Sequence, residues 1–164
     1  LLVESANNAS VRSRDEIIGA NIMREQIELL KNLRDTNWIQ FRSWDSIELA
    51  KSSVETEKKL QPNGFYVITN DFGAGKFIHI ENLPSLTLSK EAILQEFNKS
   101  NSSIRLCIDS LGRYTHDCTS GNIHTNFASF LQVEPHTTKN TLSNTPINVD
   151  RAYKITVFFV SFNK

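Results

Sequence analysis

Four side chains of types that bind metals or act as nucleophiles lie close together in the chain: His116, Asp117, Cys118 and His124. A zinc site needs a ligand spacing such as C-x-x-C or H-E-x-x-H, and neither occurs around these residues. A Cys–His nucleophile would need Cys118 as a free, accessible thiolate. Since Cys107 is the one other cysteine, a disulfide would consume that thiol. We therefore expect loop residues beside a disulfide, with no catalytic residues, no metal and no cofactor.

A second segment, Gly73-Ala74-Gly75-Lys76, has part of the pattern of a phosphate-binding loop. The full pattern needs a Gly five residues before its second Gly and a Ser or Thr after the Lys. Asn70 and Phe77 stand at those two positions, so the hydroxyl that would bind magnesium is missing. The segment is better interpreted as the loop of a β-hairpin.

The two cysteines, Cys107 and Cys118, have ten residues between them. Ser, Thr and Asn are abundant and there is one Met, a composition typical of extracytoplasmic proteins. We expect a disulfide, with two free buried thiols as the alternative. Closing so short a loop is worth roughly 2–3 kcal/mol in the chain-entropy model. A two-residue turn at Ser110-Leu111 would pair Cys107 with Tyr114, so the bond would span a bulge or a longer loop.

The overall composition excludes some classes of function. Lys and Arg together number 18, as do Asp and Glu, in 164 residues. This balance gives no electrostatic reason to expect nucleic acid as the main partner or an anionic membrane surface. No run approaches the ~18 consecutive apolar residues of a transmembrane helix. Ten Phe and 39% hydrophobic residues are enough for a core.

The segment from Leu1 to Leu33 reads as one amphipathic helix. Its apolar residues recur every three or four positions and form a face wide enough to pack across a sheet, with Ile18, Ile22 and Leu29 at its margin; the packing face is predicted as Ile17, Ala20, Met23, Ile27, Leu30 and Leu33. Residues 4–14 are mostly polar, so we expect them to project as a stalk. At ~1.5 Å per residue, a helix of this length would span about 50 Å.

The chain changes character after this helix. Residues 1–35 are predicted as the helix and 36–164 as a globular β domain. Trp38, Phe41 and Trp44 are interpreted as anchors between helix and sheet, and a short helix is predicted from Trp44 to Ala50.

About six antiparallel strands joined by hairpins are expected in the β domain, which makes the fold class α+β. The strand segments are 64–69, 76–81, 104–108, 113–116, 127–133 and 153–162, with a short helix or connecting segment at 89–98 and a polar loop at 137–148.

The helix end Ile22–Trp38, with the letters REQIELLKNLRDTNW from Arg24, resembles the corresponding segment of type IV pilins and the pilin-like pseudopilins of bacterial secretion systems. The segment Leu106–His116 is similar to a hairpin of minor pilin-like proteins. The segments Gly64–Val67, Thr125–Phe127 and Tyr153–Val157 also resemble segments of the family and occur in the same order along the chain. The resemblance covers nearly the whole chain.

This resemblance implies a structural subunit that acts by filament assembly, in a type IV pilus or a type II secretion pseudopilus. Its partners would be other pilin or pseudopilin subunits, and it would contact the membrane through an apolar N-terminal segment, of which Leu1-Leu2-Val3 looks like the tail. Glu4 is not the family's glutamate at the fifth position. The implied location is extracytoplasmic: the inner membrane before assembly, then the pilus or cell surface. A Cys107–Cys118 bond far from the end of the chain favours a minor pilin or a pseudopilin over a major pilin.

Two other hypotheses remain open. The first is an extracellular binding module or pilus-tip adhesin that contacts a surface ligand, glycan or DNA. It would make contact through the loop around Cys107–Cys118, with Arg113, Tyr114 and His116, and through the polar stretch Thr137–Asn148. The second is a thiol-dependent enzyme using Cys118, which we do not expect.

Overall fold

A helix of 38 residues, α1 (Leu2–Ile39), precedes all the strands. The computed structural model describes residues 2–48, 58–69, 79–119, 121–139 and 146–162. The helix continues through Asp35-Thr36-Asn37, where the sequence predicts its end. Asn37 is buried, and its side-chain amide donates hydrogen bonds to the carbonyl oxygens of Trp44 (3.2 Å) and Ser46 (2.8 Å). This polar side chain therefore fixes the returning chain against the helix and does not interrupt it.

Eight strands and a second helix follow in the described residues. They are β1 (Ser46–Glu48), β2 (Lys58–Lys59), β3 (Gly64–Thr69), β4 (His79–Asn82), α2 (Lys90–Phe97), β5 (Arg105–Ile108), β6 (Tyr114–Thr115), β7 (Ile123–Lys139) and β8 (Pro146–Ser161). The pairings between them are antiparallel. The prediction of an α+β fold with an N-terminal helix and an antiparallel sheet is confirmed.

The long strand β7 is the centre of the main sheet. One of its edges pairs with β8 along most of its length. Two strands pair with different parts of its other edge. β3 pairs with residues 131–133 of β7, where Tyr66 lies opposite Leu131. β5 pairs with residues 123–128, where Arg105 lies opposite Ala128. β4 and β6 lie outside β3 and β5. The sheet is thus split between β3 and β5 on one side of β7.

Successive residues of the central strands face opposite sides of the sheet, because side chains alternate between the two faces of a β-strand. Val67, Ala128 and Phe130 join a core with Phe97 of α2. Their neighbours Tyr66, Ile68 and Leu131 join Leu29 of α1 on the other face, and Phe127 joins Ile22 of α1 there. Both faces are therefore covered, which is why β7 carries a nearly continuous apolar run.

Ser89 caps the helix α2. Its hydroxyl accepts a hydrogen bond from the backbone N–H of Ala92 at 3.1 Å, which satisfies one of the free donors of the first turn. The predicted segment 89–98 is accordingly a helix, α2.

The predicted helix from Trp44 to Ala50 is wrong for the part that the structure describes, since Ser46–Glu48 is strand β1, paired with β2. Only Trp44 of the three predicted anchors packs inward, with its ring centroid 5.2 Å from that of Tyr153. Trp38 and Phe41 are 75% and 99% exposed. Phe41 has a positive φ of 56°, because the chain reverses there directly after the helix.

Three other sequence predictions involve residues outside the described ranges. The hairpin loop around Gly73–Lys76 lies entirely outside them. The predicted strand 76–81 begins, within the described residues, at His79. The predicted polar loop 137–148 is strand at both ends, in β7 to Lys139 and in β8 from Pro146, and residues 140–145 lie outside the described ranges.

Candidate functional site

The helix α1 packs on the sheet only from Asp15 onward among the residues whose side chains are described. Residues 9–14 are all exposed. Asp15 is 8% exposed, and its Oδ2 accepts a hydrogen bond from the hydroxyl of Ser161, at the end of β8, at 3.1 Å. The sheet therefore ends near Asp15, and the helix continues beyond it, as expected for a projecting stalk.

The face of α1 that packs on the sheet differs from the predicted one. Buried positions recur at spacings of four and three: Asp15, Gly19, Ile22, Gln26 and Leu29. Of the predicted face, Ile17 is 61% and Ile27 43% exposed, Ala20 is also exposed, and Met23, Leu30 and Leu33 are half-buried. The sequence prediction is wrong by about a quarter of a turn of the helix, because a face chosen from apolar residues alone leaves out Asp15, Gly19 and Gln26.

Gly19 and Asp15 each have a contact on β8 that accounts for their burial, whereas the carbonyl oxygen of Gln26 has no partner among the described residues. Gly19 lies against Phe159 of β8 and leaves room for its ring. Asp15 has the Ser161 hydroxyl as its partner. Gln26 is 3% exposed, and its Oε1 has no hydrogen-bond partner among the described residues. The spacing of these residues could have pointed to the correct face, but their polarity concealed it.

The predicted disulfide joins Cys107 and Cys118, whose Cα atoms are 5.4 Å apart. Cys107 lies on β5 and pairs across the hairpin with Thr115, and not with Tyr114 as a two-residue turn at Ser110-Leu111 would require. The turn closes at Gly112, whose φ of 76° suits a residue without a Cβ. Cys118 follows β6 and crosses back to β5, so the bond spans a loop longer than a ladder pair.

Asp109 organises the tip of this hairpin. Its Oδ1 accepts hydrogen bonds from the backbone N–H groups of Leu111 and Arg113, both at 2.9 Å. Its Oδ2 accepts one from the guanidinium of Arg113 at 2.8 Å. The bond from the backbone of Arg113 contributes most to holding the pKa of Asp109 below its usual value. The charge of Arg113 is thus paired within its own turn.

Tyr114 and His116 extend from the hairpin toward the helix side of the sheet. The Tyr114 ring is 6.1 Å from that of Phe127, measured between centroids. His116 Nε2 lies 3.0 Å from the carbonyl oxygen of Ser129 in β7 and donates a hydrogen bond to it in the tautomer protonated at Nε2. Burial lowers the pKa of His116 to about 4, although that hydrogen bond opposes the shift. His116 is therefore neutral at physiological pH.

A cleft of about 1050 Å³ lies between α1, the split in the sheet and this hairpin. Arg113, Tyr114 and His116 all line it, so the structure brings together the three residues of the predicted contact loop. Asn21 and Gln26 of α1 form the opposite wall. The sequence alone does not indicate that α1 faces the hairpin, because the two segments are about 90 positions apart in the chain.

The described ends of the polar stretch Thr137–Asn148, which are residues 137–139 and 146–148, lie far along β7 from this hairpin. Cys107 pairs with His124 near the start of β7, whereas Thr137 pairs with Asn148 near its end. Thirteen residues of strand at ~3.3 Å each separate these two positions by about 40 Å. The two segments of the hypothesised binding module therefore lie near opposite ends of β7.

The residues His116, Asp117, Cys118 and His124 do not form a metal centre. Within the described ranges, no group of three or more His, Cys, Asp or Glu side chains is arranged to hold a metal ion. Cys118 is bonded to Cys107, and His124 Nδ1 lies 2.9 Å from the guanidinium of Arg105. The Cys118 thiol that an enzyme would need is occupied by the disulfide.

Among the described residues, neither helix combines the length and apolarity needed to cross a bilayer. Comparisons with protein-family models, with curated proteins and with solved structures gave no match to this chain.

Proposed function

We propose that this chain is the helix-and-sheet part of a pilin-like structural subunit, in a type IV pilus or a type II secretion pseudopilus, and that it acts by assembly and not by catalysis. The observation that carries the proposal is the division of α1. Its second part packs on the sheet from Asp15 onward. Its first part extends past the sheet with residues 9–14 exposed.

The dimensions of the helix support this role. Thirty-eight residues at ~1.5 Å each give a helix about 57 Å long, of which residues 2–14 account for about 20 Å. A single domain gains no burial from such an extension. A neighbouring subunit could supply the packing, and head-to-tail contacts that do not close on themselves produce a helical filament.

A second apolar stripe on α1 also supports assembly. Ile17, Ala20 and Ile27 are exposed on the helix surface turned away from the buried line of Ile22 and Leu29. The helix therefore carries apolar residues on two faces, of which the sheet covers one. A helix that packs both on its own sheet and on neighbouring helices needs this distribution.

The disulfide is in keeping with an extracytoplasmic location, because disulfides persist in oxidising compartments. Contact with the membrane would come through an apolar N-terminal segment, as in the family that the helix end resembles. We propose an inner-membrane location before assembly and a pilus or cell-surface location after it.

Site-specific photo-crosslinking in the native host tests the proposal. A photoreactive phenylalanine analogue is placed at Ile17, on the exposed stripe of α1, in the whole gene product. The matched control carries it at Leu111, which is 73% exposed at the hairpin tip. We expect illumination to join the Ile17 variant to other filament subunits in sheared surface filaments or membranes, and the Leu111 variant to give several-fold less of these products. Equal yields from both positions, or no product containing another subunit, would contradict the assembly role.

A further inference from the structure

The cleft beneath α1 has the size and lining of a small-molecule site. Its volume of about 1050 Å³ is at the upper end of ligand pockets, which typically measure ~300–1,000 Å³. Three separate walls contribute polar side chains: α1, the loop 100–103 and the disulfide-closed hairpin. We propose that this cleft binds a neutral saccharide, a function independent of filament assembly.

The charges of the lining argue against an anionic ligand. Glu25, Glu81, Asp109 and Asp117 line the cleft, and Arg113 is the one Lys or Arg side chain among its described lining residues. Arg113 is paired with Asp109 at 2.8 Å. Nucleic acids and sialylated glycans need unpaired cations to bind their charge. The lining therefore disfavours both, and DNA in particular.

Neutral hydrogen-bonding groups dominate the remaining polar surface. Four amide side chains line the cleft: Asn21 and Gln26 on α1, Asn101 on the loop, and Asn122 just before β7. An amide offers both donors and acceptors, which suits hydroxyl groups that point in several directions from a sugar ring. Tyr114 adds a half-buried aromatic ring to the lining, against which the apolar face of a sugar can pack.

Gln26 gives the most direct indication of a ligand. The residue is 3% exposed, and its Oε1 accepts no hydrogen bond from the described residues. A buried acceptor without a partner is costly and rare, and it calls for an explanation. A ligand hydroxyl entering from the cleft would supply the missing donor after a small rotation of the amide.

A saccharide fits this arrangement better than a peptide does. Bound peptides generally add to a strand edge or place a helix face in an apolar groove. Here the polar groups are individual side chains spread around the cleft. This arrangement suits a compact ligand that carries hydroxyl groups on several sides. A hydroxyl-rich peptide is the competing occupant that the experiment distinguishes.

The test is a screen of the 164-residue chain on arrays of neutral glycans, sialylated glycans and Ser/Thr-rich peptides, with titration of the best neutral glycan by calorimetry. Three variants are then compared. Gln26→Leu removes the unpartnered amide, Asn21→Ala removes a second one, and Asn32→Ala is a matched control on an exposed face of the same helix outside the cleft.

We expect saturable binding of a neutral glycan, at least tenfold weaker in Gln26→Leu and Asn21→Ala and unchanged in Asn32→Ala. Gln26→Leu should also unfold at the same or a higher denaturant concentration than the parent, so that lost binding does not reflect lost folding. The proposal is overturned if no neutral glycan binds, if the peptides or sialylated glycans bind more tightly, or if neither cleft variant weakens binding. Failure of filament assembly would leave this result unaffected.

Discussion

Gly19 of α1 lies directly against Phe159 of β8: a Cβ added to Gly19 would lie 2.5 Å from Cδ1 of the Phe159 ring. This close approach seats the helix on the sheet one turn after the Asp15–Ser161 hydrogen bond. The pair therefore sets how closely the projecting helix is held to the globular part.

Gly19→Ala should destabilise the fold despite the better helix propensity of alanine. Alanine gains ~1 kcal/mol in a helix interior, whereas overpacking typically costs ~1–3 kcal/mol. We expect a net loss of about 1 kcal/mol in the free energy of unfolding, measured by urea denaturation. In a Phe159→Ala background the same change should become stabilising, because the obstructing ring is gone. An equal loss in both backgrounds would show that the ring is not the cause.

Removal of the disulfide should lower stability by a predictable amount. The bond closes a sequence separation of 11 residues, for which the chain-entropy model gives about 3 kcal/mol. We expect the double variant Cys107→Ala/Cys118→Ala to unfold at a correspondingly lower urea concentration. Reductant should lower the midpoint of the parent chain and leave the double variant unchanged. The prediction is contradicted if reductant frees both thiols of the parent chain and its unfolding midpoint does not change.

Asn37→Ala should loosen the end of α1. It removes two hydrogen bonds to the carbonyl oxygens of Trp44 and Ser46 and leaves these acceptors without that donor. A cost of about 2 kcal/mol in the free energy of unfolding is expected, from ~1 kcal/mol for each bond. Asn32→Ala, on the exposed surface of the same helix, is the control and should change stability by less than about 0.5 kcal/mol. Similar losses from the two variants would refute the role of Asn37.

The half-buried imidazole of His116 should make stability depend on pH. Its folded pKa of about 4 lies below the ordinary histidine pKa of 6.5, so the unfolded chain binds the proton more tightly. Its contribution to stability is therefore complete above pH 6.5, falls as the pH drops toward about 4, and is lost fully below that value. The lowering of the pKa corresponds to about 3 kcal/mol, and we expect about 2 kcal/mol because the side chain is only half-buried and solvent screens part of the effect.

His116→Gln tests this dependence, because a glutamine N–H can still donate to the Ser129 carbonyl oxygen without titrating. The difference in unfolding free energy between parent and variant should shrink or reverse from pH 7 to pH 4. Carboxylates titrate in both chains and cancel in the comparison. A difference that stays constant over this range would show that His116 is not the titrating group.

The sequence alone determined the larger elements and their order, although Ser46–Glu48 was expected to be part of a helix and is strand β1. Apolar residues every three or four positions require an amphipathic helix, and alternating or continuous apolar runs such as 64–69 and 127–133 require strands. These signals are local, so the helix, the strands β3, β5 and β7, the capped helix α2 and the paired cysteines could be predicted from neighbouring residues. Trp38 and Phe41 show the limit of this approach, because hydrophobicity alone does not determine that a residue packs inward.

The tertiary structure decided which face of the helix is buried and where a cleft forms. Asp15, Gly19 and Gln26 lie on the buried face only because Ser161, Phe159 and the cleft wall meet them from distant parts of the chain. The split between β3 and β5 depends on how two strands share one edge of β7. Such features are set by contacts between residues far apart in sequence, and local periodicity carries no information about them.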